Sequence, residues 1–521
     1  MDTEMKSQLD CGTFEIVPKA PGRKYIPLQW IYKVKQNEHG EPCRAKSRLV
    51  ARGDRCQEGV HYTETFAPVV HFASTRSFLS TCCQEGWEVH QMDVNTAFLY
   101  ADLDRDDIFF SMPPGYQVTS PDGTKADGEY CVRAKKALYG LPQAPRLWNN
   151  TLKQWFLKQG FVQCKKDPCV YRLKTDLGEI NLIVYVDDIA FAGSNPEMIA
   201  AFKRELSSRF DMKDLGLMRW FLGMHIEQDI VNRTLKITQG AYVRDMLKRF
   251  TFMDDIPPAP TPASESVKLT RADCPIDPEL ANKTFWWRPY YRSVVGSLLY
   301  AQSGCRPELS NAVSKLSSFL ENPGPAHWNE AVRCLAYLKG CPDSGITYTR
   351  QKPEFANRLF LFADATWADC EDTRKSTTGF VCFLNGGPVS WKSQKQPVVA
   401  QSSCESEFIS ACKGANEVAF LYQLMAEMGF AQTEPVRVYE DNKAAKDLAN
   451  NPGTLKDRSK HFEIRWLKLQ EYVRDRVITM VQVPTKSQVA DLLTKNLAPK
   501  LFNKIRDWLL GTVPFDHSLY H

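Results

Sequence analysis

Asn181-Leu-Ile-Val-Tyr-Val-Asp-Asp-Ile-Ala-Phe-Ala-Gly193 is the stretch on which the reading of this chain turns. Two apolar, β-branched-rich runs flank the adjacent carboxylates Asp187 and Asp188, a pattern that predicts a β-hairpin with buried arms and both acids at its tip. Neighbouring carboxylates raise each other's pKa unless a cation lies between them, and Mg2+ is the usual partner of bare carboxylates so placed. The plainer alternative is an Asp-Asp turn facing water. It is disfavoured because neither Gly nor Asn accompanies the pair, and two-residue hairpin turns want residues that tolerate positive φ.

Working outward, Trp87-Glu-Val-His-Gln-Met-Asp93 reads as a short strand ending in a third acid. A lone strand-end Asp is usually a cap or turn residue. Here it belongs to a set: Gln91-Met-Asp-Val-Asn-Thr-Ala-Phe-Leu99, Lys136-Ala-Leu-Tyr-Gly-Leu-Pro-Gln-Ala-Pro-Arg146 with Trp148, and Tyr185-Val-Asp-Asp188. In order and rough spacing this set resembles the reverse transcriptases of Ty1/copia-type retrotransposons.

That resemblance implies that Asp93, Asp187 and Asp188 are the catalytic, metal-binding acids of a polymerase, with the Val94 carbonyl as a further ligand. It also implies nucleotide-binding roles. Ser47-Arg48-Leu49-Val50 looks like the nucleotide-gripping strand, with Arg48 on the triphosphate, since a guanidinium bonds phosphate oxygens in bidentate fashion. Lys33 and Lys46 are weaker candidates. Phe98 is the bulky ring that blocks a sugar 2′-OH, and Gln143, at the start of a helix over 147–160, faces the incoming nucleotide. Pro142 departs from the pattern, because many relatives carry Lys there. Lys213 to Ile226 resembles the segment that holds the primer end.

A chain of 521 residues exceeds one core, and about three domains are expected. The net charge of +5 is modest, but between Lys19 and Arg55 ten Lys or Arg face three acids. Apolar and basic residues alternate there, as in Trp30-Ile-Tyr-Lys-Val-Lys35, which fits strands with one packed face and one phosphate-tracking face. The sixteen cysteines show no zinc spacing and no disulfide framework. With neither a leader pattern nor a membrane-length apolar run, a soluble, intracellular protein is expected, in cytoplasmic virus-like particles or in the nucleus.

The C-terminal third carries a second set of acids. Strands end at Asp364 and Asp441, a long helix over 404–428 turns Glu407 inward beside the stripe Phe408, Ala411, Ala415, Val418, Tyr422 and Met425, and Asp491 follows the last strand. This order of elements, with acids at these stations, resembles the ribonuclease H of the same retroelements. Cellular relatives often place a His before the final Asp, whereas Pro484 to Gln488 has none; His461, beside Arg458 and Lys460, is as readily structural and is not assigned a catalytic role.

The expected fold class is therefore α/β: an α+β palm and fingers polymerase domain over 1–255, a Pro-rich linker and helical thumb or connection over 256–356, a ribonuclease H-like mixed-sheet domain over 357–500 and a tail over 501–521. The expected function is RNA-directed DNA synthesis and RNA–DNA hybrid cleavage at two separate sites, each holding two Mg2+, with Mn2+ as an alternative. The corresponding partners are an RNA template, a DNA primer, their hybrid, dNTPs and other products of the same polyprotein such as integrase; no membrane is involved. Two further readings stand beside it, a decayed fragment that binds nucleic acid without chemistry and a nuclease whose polymerase part only clamps hybrid. Protease, integrase and capsid regions are not found in the sequence, so a processed polyprotein piece or a truncated copy is expected.

Overall fold

The computed structural model describes residues 2–10, 12–36, 42–115, 130–450 and 463–513. They form a mixed α/β fold with two large sheets and three smaller ones. His461, Arg458 and Lys460 lie outside the described residues.

The first large sheet is antiparallel and has six strands, in the order Met212–Leu217, His90–Val94, Asp188–Gly193, Gly178–Tyr185, Val170–Thr175 and Val162–Gln163. Its central hairpin is the apolar stretch that opened the sequence reading: Leu182, Ile183, Ile189 and Phe191 are fully buried. One face packs on the helices Ala144–Lys158 and Pro196–Arg209 through Trp148, Phe156, Phe202 and Phe210. Ahead of it project a two-stranded ribbon, Leu28–Gln36 with Pro42–Ala51, and a small three-stranded sheet. Along that ribbon Ile31, Tyr32 and Val34 are exposed.

The second large sheet has five strands in the order Gly387–Lys395, Thr377–Leu384, Leu359–Thr366, Val436–Glu440 and Ile478–Gln482. The first three run antiparallel and the last two join in parallel. The helix Ser403–Glu427 lies on it with Phe408, Ala411, Ala415, Val418 and Met425 buried, the expected stripe except for Tyr422, which is only partly covered.

What lies between differs from a linker. Residues 254–277 are extended but fastened, with Ala259 N–H on the Ala336 carbonyl, Ser264 N–H on Glu330 and Arg271 N–H on Asp372. The helical part expected over 256–356 is built from Arg288–Gly304, Ser310–Ser317 and Pro325–Gly340. The strand Gly345–Thr349 then turns back to pair with Thr234–Thr238 of a four-stranded sheet, and its outer edge is covered by Asn385 and by Leu510. Leu510 ends the helix Pro499–Leu509, which buries Phe502, Ile505 and Leu509 where a tail was expected.

One apolar core consequently runs from the underside of the six-stranded sheet, through these helices, to the five-stranded sheet. The helix Phe72–Glu85 lies inside it. Its Arg76 is almost wholly buried and donates to the carbonyls of Val389 at 2.8 Å, Ser303 at 2.7 Å and Gly304 at 2.8 Å, with the guanidinium 3.9 Å over Trp391.

Candidate active sites

The first carboxylate group sits in the middle of the six-stranded sheet. Register pairing sets Asp93 directly opposite Asp188 on the neighbouring strand, while Asp187 lies in the two-residue loop that joins Tyr185 to Asp188. The loop resolves the objection drawn from missing Gly and Asn: Val186 itself adopts φ 58°. A β-branched residue there is strained and must be held. The buried Trp148 indole donates to the Val186 carbonyl at 2.7 Å, and the Val94 N–H donates to the Asp187 carbonyl at 3.0 Å. The turn is thus bolted both to the helix behind it and to the strand bearing Asp93.

Burial, reinforced by the charges of Asp187 and Asp93, pushes the Asp188 carboxyl up to about 6, against a 3.0 Å hydrogen bond from the Gln91 amide. Each carboxylate is only half-buried, so the group opens to solvent.

Beside these acids stands Tyr139, which sequence reasoning quoted but gave no role. The Arg48 guanidinium lies 4.8 Å over its ring, and Phe98 packs edge-on against it at 4.9 Å. Burial pushes the Tyr139 phenol up to about 12, with Arg48 opposing and the charges of Asp187 and Asp93 adding. One ring therefore organises Arg48 and Phe98 next to the carboxylates. Gln143 is buried at the start of the helix Ala144–Lys158; its amide donates to the His61 carbonyl at 3.1 Å and its Oε1 has no partner. Arg146 is engaged by Asp104 and by the Glu64 carbonyl. Lys33 is exposed, and the side chain of Lys46 lies outside the described residues.

The second group gathers at one edge of the five-stranded sheet. Asp364 lies on the central strand Leu359–Thr366, which runs on past the end expected at this residue, Glu407 comes from the second turn of the helix Ser403–Glu427, and Asp441 follows the strand Val436–Glu440. One oxygen from each lies within 4.8 Å of the others, and among the described residues these three alone form such a group. Asp93, Asp187 and Asp188 do not close so tightly. The Ser410 hydroxyl pins helix to sheet by donating to the Asp364 and Gly379 carbonyls at 2.7 and 3.0 Å. Asp491 arrives on the one-turn helix Val489–Leu493, whose approach depends on Gly379: a Cβ there would lie 2.5 Å from Thr494 Cγ2 and 2.9 Å from Leu493 Cβ.

Two more residues enter this group that the sequence did not single out. Glu440 is wholly buried beside Asp441, and its Oε1 accepts from Asn442 N–H while its Oε2 has no partner. Lys495 reaches Asp491 Oδ1 at 2.6 Å and Asp364 Oδ1 at 3.2 Å, and the Thr494 hydroxyl donates to Asp364 Oδ2. Burial raises four of these acids: Asp491 to about 7, with Asp364 adding; Glu407 to about 11, with Glu440, Asp364 and Asp441 adding; Asp364 and Glu440 upward as well. Glu407 Oε2 also lacks a partner. Carboxylate oxygens of Asp364, Glu407 and Asp441 converging within 4.8 Å, with Glu407 Oε2 unpartnered, are the donor set of a hard divalent cation.

The reverse transcriptase (RNA-dependent DNA polymerase) family matches residues 11–264. Over 95% of its length the chain is 35% identical to the retrovirus-related Pol polyprotein from transposon TNT 1-94 of Nicotiana tabacum, of which it spans 36%. It is 31% identical to a putative transposon Ty5-1 protein of Saccharomyces cerevisiae over 63% of this chain and the whole of that protein. A foamy viral protease-reverse transcriptase solved in complex with double-stranded DNA covers 93% of this chain and 69% of its own at 12% identity, with a TM-score of 0.49. The chain belongs to the Pol polyprotein family of Ty1/copia-type retrotransposons and contains its reverse transcriptase region. Among the described residues no helix is long and apolar enough to cross a membrane.

Proposed function

We propose that this chain is an RNA-directed DNA polymerase with ribonuclease H activity, using Asp93, Asp187 and Asp188 for synthesis and Asp364, Glu407, Asp441 and Asp491 for cleavage. The observation that carries the reading is the convergence of Asp364, Glu407 and Asp441 on one point in a chain whose other large sheet sets Asp93 opposite Asp188. In this reading 1–255 holds fingers and palm, 256–356 the connection and 357–500 the nuclease, with the helix Pro499–Leu509 closing the nuclease core.

Each site would take two divalent ions, Mg2+ or Mn2+, which lower the pKa of the attacking oxygen and stabilise charge on the leaving one. The Val94 carbonyl would complete the polymerase ligands. The chain's own residues then position substrate. Arg48, held flat by Tyr139, bonds the triphosphate; Phe98, braced on the same ring, walls off the space a ribose 2′-OH would need; Gln143 offers its unpartnered Oε1 near the nucleotide. Basic side chains of the ribbon, the exposed Lys33 among them, neutralise template phosphates. RNA template, DNA primer, hybrid and dNTPs are the substrates.

The test is paired. Primer extension on poly(rA) with oligo(dT) should be abolished by Asp187→Asn with hybrid cleavage retained, and Asp441→Asn should do the reverse. Loss of both activities in either folded variant overturns the two-site reading, and cleavage without extension in the parent favours a nuclease with a hybrid clamp.

A further inference from the structure

Lys495 is set where a cation belongs. Its ammonium lies between Asp364 Oδ1, at 3.2 Å, and Asp491 Oδ1, at 2.6 Å, while Thr494 occupies the other oxygen of Asp364. Asp491 is therefore tied to the lysine, and the three acids that converge within 4.8 Å are Asp364, Glu407 and Asp441. A second cation held between Asp364 and Asp491 would meet this ammonium at close range, and like charges so placed repel strongly.

We propose that Lys495 is the resident cation of this site: its ammonium holds the position between Asp364 and Asp491, so that one divalent ion binds readily, on Asp364, Glu407 and Asp441, and a second binds only as the ammonium leaves. The inference rests on the nuclease reading of the site. A destination for the ammonium is at hand. Lys495 also lines a cavity of about 10 Å³, room for a single water or ammonium, together with Glu308 and Asn311. Glu308 Oε2 and Asn311 Oδ1 are buried acceptors with no partner, and both residues belong to the connecting segment rather than to the sheet that bears the acids. Turning the ammonium from Asp364 and Asp491 toward these two oxygens exchanges one pair of acceptors for another. The first pair is thereby released for a second ion.

The experiment counts ions rather than turnovers. Mn2+ is titrated into the full-length chain carrying Asp93→Asn and Asp187→Asn, which removes the polymerase ligands, and bound ion is followed by electron paramagnetic resonance and calorimetry. On this background one tight Mn2+ is expected, lost with Asp441→Asn, and a second is expected to bind at least roughly tenfold more weakly than the first. Lys495→Met should bind two with similar affinity. Lys495→Arg, which keeps the charge, should return to one tight ion and also controls for folding. Equal second-ion affinities with and without Lys495, or two tight ions with the lysine in place, would overturn the proposal. Hybrid cleavage by the unsubstituted chain is measured alongside. Cleavage with an ion count indifferent to Lys495 refutes the lysine's role alone. No cleavage, with the count rising from one to two in Lys495→Met, refutes the nuclease reading and leaves the lysine's role standing.

Discussion

Single residues carry the proposed chemistry, and the seven acids were legible from apolar strands, a helix beside a core stripe and the order of the motifs around them. Asp188 makes a direct prediction. Its carboxyl is raised in the folded state to about 6, so its contribution to stability is present below the unfolded value near 4 and is lost as pH rises through 6. Asp188→Asn keeps the acceptor for Gln91 without the charge, and in EDTA it should be more stable than the parent by about 1–2 kcal/mol at pH 7.5 once solvent screening of a half-exposed group is allowed for. The gap in Tm, about 1–2 °C for a chain of this size, should close towards pH 5. A gap independent of pH would show that the acid is not strained. Phe98→Val should admit ribonucleotides, read as the rNTP to dNTP incorporation ratio; Tyr139→Ala should do the same in part, because it removes the ring on which Phe98 leans. Neither Tyr139 nor Lys495 could be read from the sequence. Tyr139 touches partners about ninety positions away in Arg48, and Lys495 meets Asp364 across 131 residues, a distance no local pattern spans.

At the scale of elements, alternation and helical period located the hairpin at 181–193, the strand around Asp93 and the helix at 404–428 to within a few residues, and passed over others. Arg288–Gly304 buries Tyr291, Val294, Val295, Leu298 and Ala301 at helical spacing, yet it has no capping side chain and includes Gly296. Local chemistry therefore argued against a helix that tertiary packing stabilises. The terminal helix Pro499–Leu509 was passed over as tail although Phe502, Ile505 and Leu509 fall on one face. Gly379 supplies the prediction here. It leaves the space into which Thr494 and Leu493 pack, so Gly379→Ala must push back the turn carrying Asp491 and Lys495. The expected cost is about 1–3 kcal/mol, with hybrid cleavage falling sharply and primer extension unchanged. Retained cleavage would mean that the turn adjusts without moving its acid.

Across the whole molecule the two carboxylate groups stand on separate sheets but share a core. Arg76 crosses it, stacked on Trp391 and bonded to three carbonyls, and burial lowers its pKa to about 10 without approaching neutrality. The parent should therefore unfold in one calorimetric transition. Arg76→Met strands those carbonyls at roughly 1–3 kcal/mol each and should split the transition in two. Two transitions in the parent would show that the shared core does not couple the halves. That unity also bears on how the chain is made. The strand Gly345–Thr349 closes the four-stranded sheet by pairing with Thr234–Thr238, and Asn385 and Leu510 bond its far edge. On the ribosome, then, Thr234–Thr238 must wait with an uncovered edge until Gly345–Thr349 has emerged. A message broken before that point would release not a smaller working enzyme but a sticky, half-closed sheet open to pairing with its neighbours.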